Sequence, residues 1–111
     1  MQPRHAVAEI GEEIAGYLEA SVQPPMPTAR WQGSIDVGAT RLFINFVGTS
    51  PHYHRRGVAT RLVQAAEEWG RAKGATIATC DTWIDSPLSM PFWESRMGYQ
   101  RKNVIFRKRL D

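Results

Sequence analysis

The sequence predicts an α/β or α+β domain, in which helices flank a sheet, because strand and helix patterns alternate along the chain. The segment "TRLFINFVG" is rich in β-branched and aromatic residues, and residues 57–73 that follow it have a helical period. A strand in "ATIATCDTW", a short helix in "SPLSMPFWESRM" and a final strand in "NVIFRKRL" complete the series. This alternation is typical of a sheet covered by helices.

The N-terminal residues 5–23 fit two structures. Apolar side chains recur at helical spacing from Val7 to Leu18, but the residues on both sides of "GEE" also alternate with period two. Gly16 would weaken the interior of a helix by about 1 kcal/mol, so a hairpin is favoured and the helix remains the alternative. Prolines in "PPMPT" end any regular element, and residues 24–40 are expected to form a loop with a short strand at "SIDV".

Length and composition predict one globular domain over residues 1–111. The chain has 42% hydrophobic and 23% charged residues, which is ordinary for a folded domain and disfavours disorder. The N-terminal "MQPRHAVAEIGEE" has no apolar core of a signal peptide, and no apolar run approaches the roughly 18 residues of a membrane span. We therefore expect a cytoplasmic protein with no membrane partner, in which Cys80 of "ATIATC" is a buried structural thiol.

The charge balance suits an anionic ligand without choosing one. A net charge of +3 fits nucleic acid, a membrane surface or a phosphorylated cofactor. A nucleic-acid site would need exposed aromatic residues among the basic ones, and the aromatic residues near the basic tail "RKNVIFRKRL" are expected to be buried. The 3 histidines and the single cysteine show no metal-ligand spacing, so no metal is expected.

The stretch "SPHYHRRGVATRLV" joins the first clear strand to the first clear helix. The unpaired N–H groups and the dipole at a helix N-terminus favour an anion, and small residues at Gly57 and Ala59 would let a phosphate approach the backbone. Arg55 and Arg56 add positive charge. Because positive charge opposes the dipole there, a helix shaped for stability alone would carry acidic residues instead, which favours a ligand over accidental surface charge.

Two segments resemble the GCN5-related N-acetyltransferase (GNAT) family. "PHYHRRGVATRLV" is similar to its acetyl-CoA signature, Arg/Gln-x-x-Gly-x-Gly/Ala, and "SPLSMPFWESRMGY" to its second landmark, Asn-x-x-Ala-x-x-x-Tyr-Glu-x-x-Gly-Phe. The resemblance implies an acyl-CoA N-acyltransferase fold, a mixed and mostly antiparallel sheet with flanking helices and a V-shaped opening for acetyl-CoA. This chain would be a short member, without the family's first strand and first helices. The match is good over residues 44–110 and less specific for "EIAGYLEASV".

The resemblance also implies roles for individual residues. The strand that pairs with the pantetheine arm would contribute Val47, Gly48 and Thr49. The loop that binds the pyrophosphate would comprise Arg55, Arg56, Gly57, Val58, Ala59 and Thr60. Ser86 stands at the landmark asparagine, which often contacts the cofactor. His54 replaces the Arg or Gln that opens the loop motif, where backbone amides do most of the binding.

Catalytic groups are less well defined. Asp81 stands where some members carry a carboxylate base, and Asp85, His52 and His54 remain candidates for the same role. Trp93 stands where many members have the tyrosine that protonates the leaving thiolate. An indole N–H is a donor that does not titrate usefully, so Trp93 cannot be a general acid and is expected in the core or in a pocket wall.

The resemblance implies an N-acetyltransferase that transfers acetyl from acetyl-CoA to a primary amine by direct attack. The alternative is a non-catalytic CoA-binding or protein-interaction module of the same fold, favoured by Trp93 and by the short N-terminus. A second subunit that supplies the missing strand would make the protein a homodimer. No pattern identifies the acceptor.

Overall fold

The structure, a computed structural model, describes residues 2–10, 12–26, 36, 38–54, 56–82 and 84–111, with the backbone alone for residues 2–10. Two compact units are present, Met1–Asp81 and Thr82–Asp111. The short strand expected at "SIDV" lies outside the described residues apart from Asp36, which is in a turn. Among the described residues, no helix has the length and apolar character needed to cross a membrane.

The first unit contains the sheet. Its strands are β1 (Gln2–Ile10), β2 (Glu13–Gln23), β3 (Arg41–Thr49) and β4 (Ile77–Cys80), and they lie in the order β1-β2-β3-β4. Helix α1 (Val58–Ala72) connects β3 to β4. The first three strands pair antiparallel, while β3 and β4 are parallel. The predicted mixed, mostly antiparallel sheet is therefore confirmed.

The N-terminal segment is a hairpin, as favoured, and the helix alternative is wrong. β1 and β2 pair from Gln2 opposite Val22 to Ile10 opposite Glu13. Burial explains the preference for strands, because Leu18, Ala20 and Val22 alternate along one face of β2 and are all buried. When these residues form a strand, helix α1 covers their apolar face. If the same residues formed a helix, that helix would need another apolar surface to cover it.

The core lies between α1 and the β2–β3 face. Leu18, Leu42 and Val63 are its largest fully buried side chains. Gly70 lets α1 approach the sheet, since a Cβ there would lie 3.1 Å from the Cβ of Leu42. Gly74, two residues after the end of α1, adopts a left-handed φ of 93°, and the N–H of Ala75 donates to the Gly70 carbonyl at 2.9 Å.

The second unit departs from prediction in two places. The expected helix in "SPLSMPFWESRM" is a single α-turn, α2 (Ser89–Pro91), followed by a π-helical segment (Phe92–Arg96) and ended by Gly98 with φ 76°. The predicted final strand in "NVIFRKRL" is wrong, because residues 101–111 are irregular and exposed. The alternation of apolar and polar residues would give a strand one apolar face and one polar face. A strand also needs a neighbouring strand for its backbone hydrogen bonds, and none of the described strands pairs with this segment. The strand in "ATIATCDTW" is confirmed but is limited to β4.

Candidate functional site

Strand β3 has two halves with different neighbours. Residues 41–44, the closed half, pair with β2 on one side and with β4 on the other. Residues 45–49, the open half, continue to pair with β2, but no described strand lies on their β4 side. The sheet therefore opens beyond the last parallel pair, Ile44 opposite Cys80. Peptide groups at this edge can hydrogen-bond to a bound chain as a further strand would.

A β-bulge marks the point where the sheet opens. Glu19 is opposite Phe46 and Ala20 is opposite Ile44, so Asn45 is an extra residue with no partner on β2. Bulges bend a strand and increase its local twist, and they are common next to active sites. The residues expected at the pantetheine arm, Val47, Gly48 and Thr49, lie directly after this bend and are half-buried.

The chain then turns into the N-terminus of α1. The N–H of Ser50 donates to the Ala15 carbonyl at 2.8 Å, and a single 3₁₀ turn (Pro51–Tyr53) follows. Gly57 has φ 74° and ψ 15° as the N-cap of α1, and this N-cap residue has no side chain that could hydrogen-bond to the helix. A Cβ on Gly57 would meet no described atom within 4 Å. Ala59 and Thr60 are half-buried in the first turn, and Arg55 lies outside the described residues.

Close packing fixes this helix start against the sheet. Val58 is buried, and a Cβ on Gly16 would lie 2.7 Å from Cγ1 of Val58 and 2.9 Å from the carbonyl oxygen of Gly48. A side chain at Gly16 would therefore separate α1 from β2. The same glycine brings the helix N-terminus close to the open half of β3, so that the two parts of the candidate site are held together.

A tyrosine ties the loop to the hairpin. The Tyr53 hydroxyl donates a hydrogen bond to the Glu13 carboxylate, and the Arg56 guanidinium carbon lies 5.4 Å from the centroid of the Tyr53 ring. That hydrogen bond is the largest cause of the raised pKa of Tyr53. Sequence analysis missed both residues, because Glu13 is 40 positions from its partner and no local pattern connects them.

The four candidates for the general base are all exposed but lie at different places along the chain. Asp81 directly follows β4, at the place where β3 and β4 part, and its side chain is exposed. Asp85, His52 and His54 are exposed as well. Burial, with the Asp81 charge as a second cause, raises the pKa of Cys80 to about 12. The thiol of Cys80 is therefore protonated at neutral pH, as expected of a structural cysteine, although it is half-buried rather than fully buried.

The second unit holds the other two predicted site residues. Ser86 accepts a hydrogen bond from the Ser89 N–H through its Oγ at 3.2 Å, so it caps the turn that follows. Trp93 is buried between Phe92 and Tyr99, with ring centroids 5.0 and 4.9 Å away. These contacts match the prediction that Trp93 is a packing residue.

A π-turn accounts for the spacing of the second landmark. The chain has one residue more between Trp93 and Gly98 than the landmark has between its tyrosine and glycine. The N–H of Met97 donates to the carbonyl of Phe92, five residues back, at 3.0 Å. A π-turn takes up an extra residue within a helix. Trp93 can therefore stand in the landmark while Gly98 still ends the helix.

Comparison of the sequence with known protein families and proteins shows similarity to acetyltransferases. The model of the acetyltransferase (GNAT) family matches residues 1–99. The acetyl transferase GW6a of Oryza sativa subsp. japonica is 33% identical in an alignment 104 residues long, which covers 87% of this chain and 24% of that protein. This chain thus spans about a quarter of the length of that relative.

Solved structures show the same fold. The aminoglycoside N-acetyltransferase AAC(6')-Iy in complex with CoA superposes with a TM-score of 0.74 at 22% identity, over 95% of this chain and 75% of that one. The aminoglycoside acetyltransferase meta-AAC0020, from an uncultured soil metagenomic sample and in complex with sisomicin, has a TM-score of 0.74 at 16% identity over 99% and 67%. With the family model matching most of its length, the chain belongs to the GNAT acetyltransferase family.

Proposed function

We propose that this chain transfers an acetyl group from acetyl-CoA to a primary amine. The observation that carries the proposal is the edge of the open half of β3, which has no described strand on its β4 side, together with the N-terminus of α1 that follows after residues 50–57. The pantetheine arm of acetyl-CoA is extended, carries amide groups and ends in a pyrophosphate. Such an arm can bind along a strand edge, while the pyrophosphate binds at the helix N-terminus that follows the strand. Family membership and a fold neighbour that binds CoA support the same ligand.

The two parts of the site would bind different parts of acetyl-CoA. Backbone groups of Val47, Gly48 and Thr49 would pair with the pantetheine amides, as a strand pairs with a sheet edge. The backbone N–H groups of Val58, Ala59 and Thr60 have no acceptor within the helix and would bind the pyrophosphate. Gly57 has no side chain that would obstruct it. Arg55 and Arg56 would add positive charge.

The reaction requires a neutral amine and a stabilised oxyanion. An alkyl amine has a pKa of about 10.4, so a base must accept its proton before or during attack on the thioester carbonyl. Asp81 is our candidate base, because it stands where the two strands part. As the nitrogen–carbon bond forms and the carbon–sulfur bond breaks, a backbone N–H of the open half would hold the oxyanion, a contribution of about 3 kcal/mol for a good donor.

The leaving group does not require an acid at Trp93. A thiol with a pKa of about 8.5 leaves as a thiolate and takes its proton from solvent. The buried position of Trp93 nevertheless favours the second candidate function, a CoA-binding module without turnover. In both candidate functions, residues 1–111 act as one domain. A homodimer in which the second subunit adds a strand to the sheet is compatible with either function.

Release of free CoA thiol distinguishes the two candidates. Purified protein with acetyl-CoA and a panel of primary amines should release thiol only when an amine is present, and Asp81→Asn should lower kcat by about 10²-fold or more if Asp81 is the base. The control is Glu68→Gln, which removes an exposed carboxylate from α1. Tight binding of acetyl-CoA with no amine-dependent release would establish the non-catalytic module instead.

A further inference from the structure

The loop between β3 and α1 is fastened to β2 at two points. At its start, the N–H of Ser50 donates to the carbonyl of Ala15, and the N–H of Tyr53 donates back to the carbonyl of Ser50 at 2.9 Å. At the end of the 3₁₀ turn, the Tyr53 hydroxyl donates to the carboxylate of Glu13, which lies on β2. These contacts fix the position of the Tyr53 ring relative to the sheet.

The side chain of Arg56 lies over the Tyr53 ring. Its guanidinium carbon is 5.4 Å from the ring centroid, within the roughly 6 Å at which a cation interacts with an aromatic face. Arg56 is exposed and directly precedes Gly57, the N-cap of α1. An exposed arginine without such a contact samples many rotamers. The ring therefore limits the positions of a guanidinium in the residue before the helix N-cap.

An arginine can bind a pyrophosphate well only in a limited set of orientations. Its guanidinium is planar and contacts phosphate oxygens through paired N–H groups, so geometry as well as charge determines the contact. Ordering a long side chain at the moment of binding costs conformational entropy and lowers the affinity. A ring that orders the Arg56 side chain before the ligand arrives reduces that cost.

Glu13 affects this loop through Tyr53. A carboxylate repels a pyrophosphate, so Glu13 is not expected to touch the ligand itself. Its carboxylate accepts the hydrogen bond from Tyr53, and this hydrogen bond is the largest cause of the raised pKa of Tyr53. The phenol therefore stays protonated at physiological pH and continues to donate to Glu13. The contacts thus form a series from Glu13 to Tyr53 and from Tyr53 to Arg56.

We propose that Tyr53 is a positioning residue for acetyl-CoA: held by Glu13, its ring orders the Arg56 guanidinium for contact with the pyrophosphate. This inference rests on the proposed function and adds two residues, Glu13 and Tyr53, that act on the ligand through Arg56. A purely structural contact has a different consequence. If Tyr53 only fastened the loop, its removal would weaken binding by the same factor whether or not Arg56 is present.

A double-mutant cycle on acetyl-CoA binding tests this order of action. Calorimetry gives the Kd for the wild type, Tyr53→Leu, Arg56→Gln and the double variant. We expect the Kd to rise about three- to fivefold in Tyr53→Leu and about tenfold in Arg56→Gln, and the double variant to bind no more weakly than Arg56→Gln alone. The control, Arg71→Gln, removes an exposed guanidinium near the other end of α1 and should leave the Kd unchanged. A double variant weakened by the product of the two single factors, or an unchanged Kd in Tyr53→Leu, would overturn the inference.

Tyr53→Phe keeps the ring and loses only the hydrogen bond to Glu13. It replaces Tyr53→Leu in the cycle if the larger change lowers the folding stability. We expect the Kd for acetyl-CoA to rise about two- to threefold in Tyr53→Phe, and this rise to disappear when Arg56 is already Gln. A Kd equal to that of the wild type would overturn the part that Glu13 plays in the inference.

Inorganic pyrophosphate tests the positioning without acetyl-CoA. If the wild type fails to bind acetyl-CoA, the proposed function fails, and the pyrophosphate titration still tests Tyr53. We expect pyrophosphate to shift the Nε–H resonance of Arg56 in the NMR spectrum, with a lower Kd in the wild type than in Tyr53→Leu. An equal Kd in the two proteins, or no shift in the wild type, would overturn the positioning role.

Discussion

The two halves of strand β3 share one backbone and have different tasks. In the closed half, residues 41–44 have strands on both sides, and Leu42 and Ile44 are buried against α1. In the open half, residues 45–49 have one strand neighbour among the described strands, and Asn45 and Phe46 are exposed. The closed half supports the fold, and we propose that the open half binds the ligand. A single strand can combine both tasks because β4 stops pairing after Cys80.

The largest difference between the halves should be in stability. Leu42→Ala removes a side chain that is 1% exposed and packs against Gly70, so we expect a loss of about 2–5 kcal/mol in the free energy of unfolding. Asn45→Ala, in the exposed bulge, should change stability by less than about 0.5 kcal/mol. Urea unfolding followed by circular dichroism measures both. Equal losses in the two variants would remove the distinction between the halves.

A smaller effect should appear at alkaline pH on β4, the strand beside the closed half. Cys80 pairs with Ile44, and its pKa in the folded protein is about 12, above the ordinary value of 9.0. Because the folded pKa is raised, the protonated thiol contributes stability that is complete below pH 9.0 and is lost as the pH rises toward 12. Other groups titrate in the same range, so the comparison must be made with a variant.

Cys80→Ala isolates this contribution. The difference in unfolding free energy between wild type and Cys80→Ala should shrink between neutral pH and about pH 10.5, since only the wild type loses the thiol contribution. Urea unfolding at both pH values gives the two differences. A difference that does not change with pH would show that the thiol ionises as readily in the folded chain as in the unfolded one.

Local patterns were sufficient for the parts of the fold that depend on near neighbours. Alternation in β2 and the helical period of α1 predicted both elements, because burial of one face shapes each of them. The proposed role of Gly57 could also be inferred from the sequence. Its basic neighbours oppose the dipole at the start of the helix, which helix stability alone would not favour. The residue types around the start of α1 are therefore enough to predict a candidate cradle for a phosphate.

Features that depend on distant partners were not predictable. The segment "NVIFRKRL" alternates much as β3 does, yet it forms no strand, because the pattern does not specify a neighbour. The Glu13–Tyr53 hydrogen bond joins residues 40 positions apart. The contact between the Tyr17 and Phe46 rings, whose centroids are 6.0 Å apart, depends on the β2–β3 register and its bulge, which the sequence does not display.

The most direct test of the account is a calorimetric titration of acetyl-CoA into the wild type, Gly57→Glu and Gly74→Glu. Both glycines have left-handed φ values, 74° and 93°, and open space around them, but they lie at opposite ends of α1. The backbone strain is therefore matched, while a negative charge enters the proposed cradle in Gly57→Glu alone. We expect the wild type and Gly74→Glu to bind alike and Gly57→Glu to lose about 10²-fold or more in affinity. Equal binding by the two variants, or no binding by the wild type, would contradict the cradle at the N-terminus of α1.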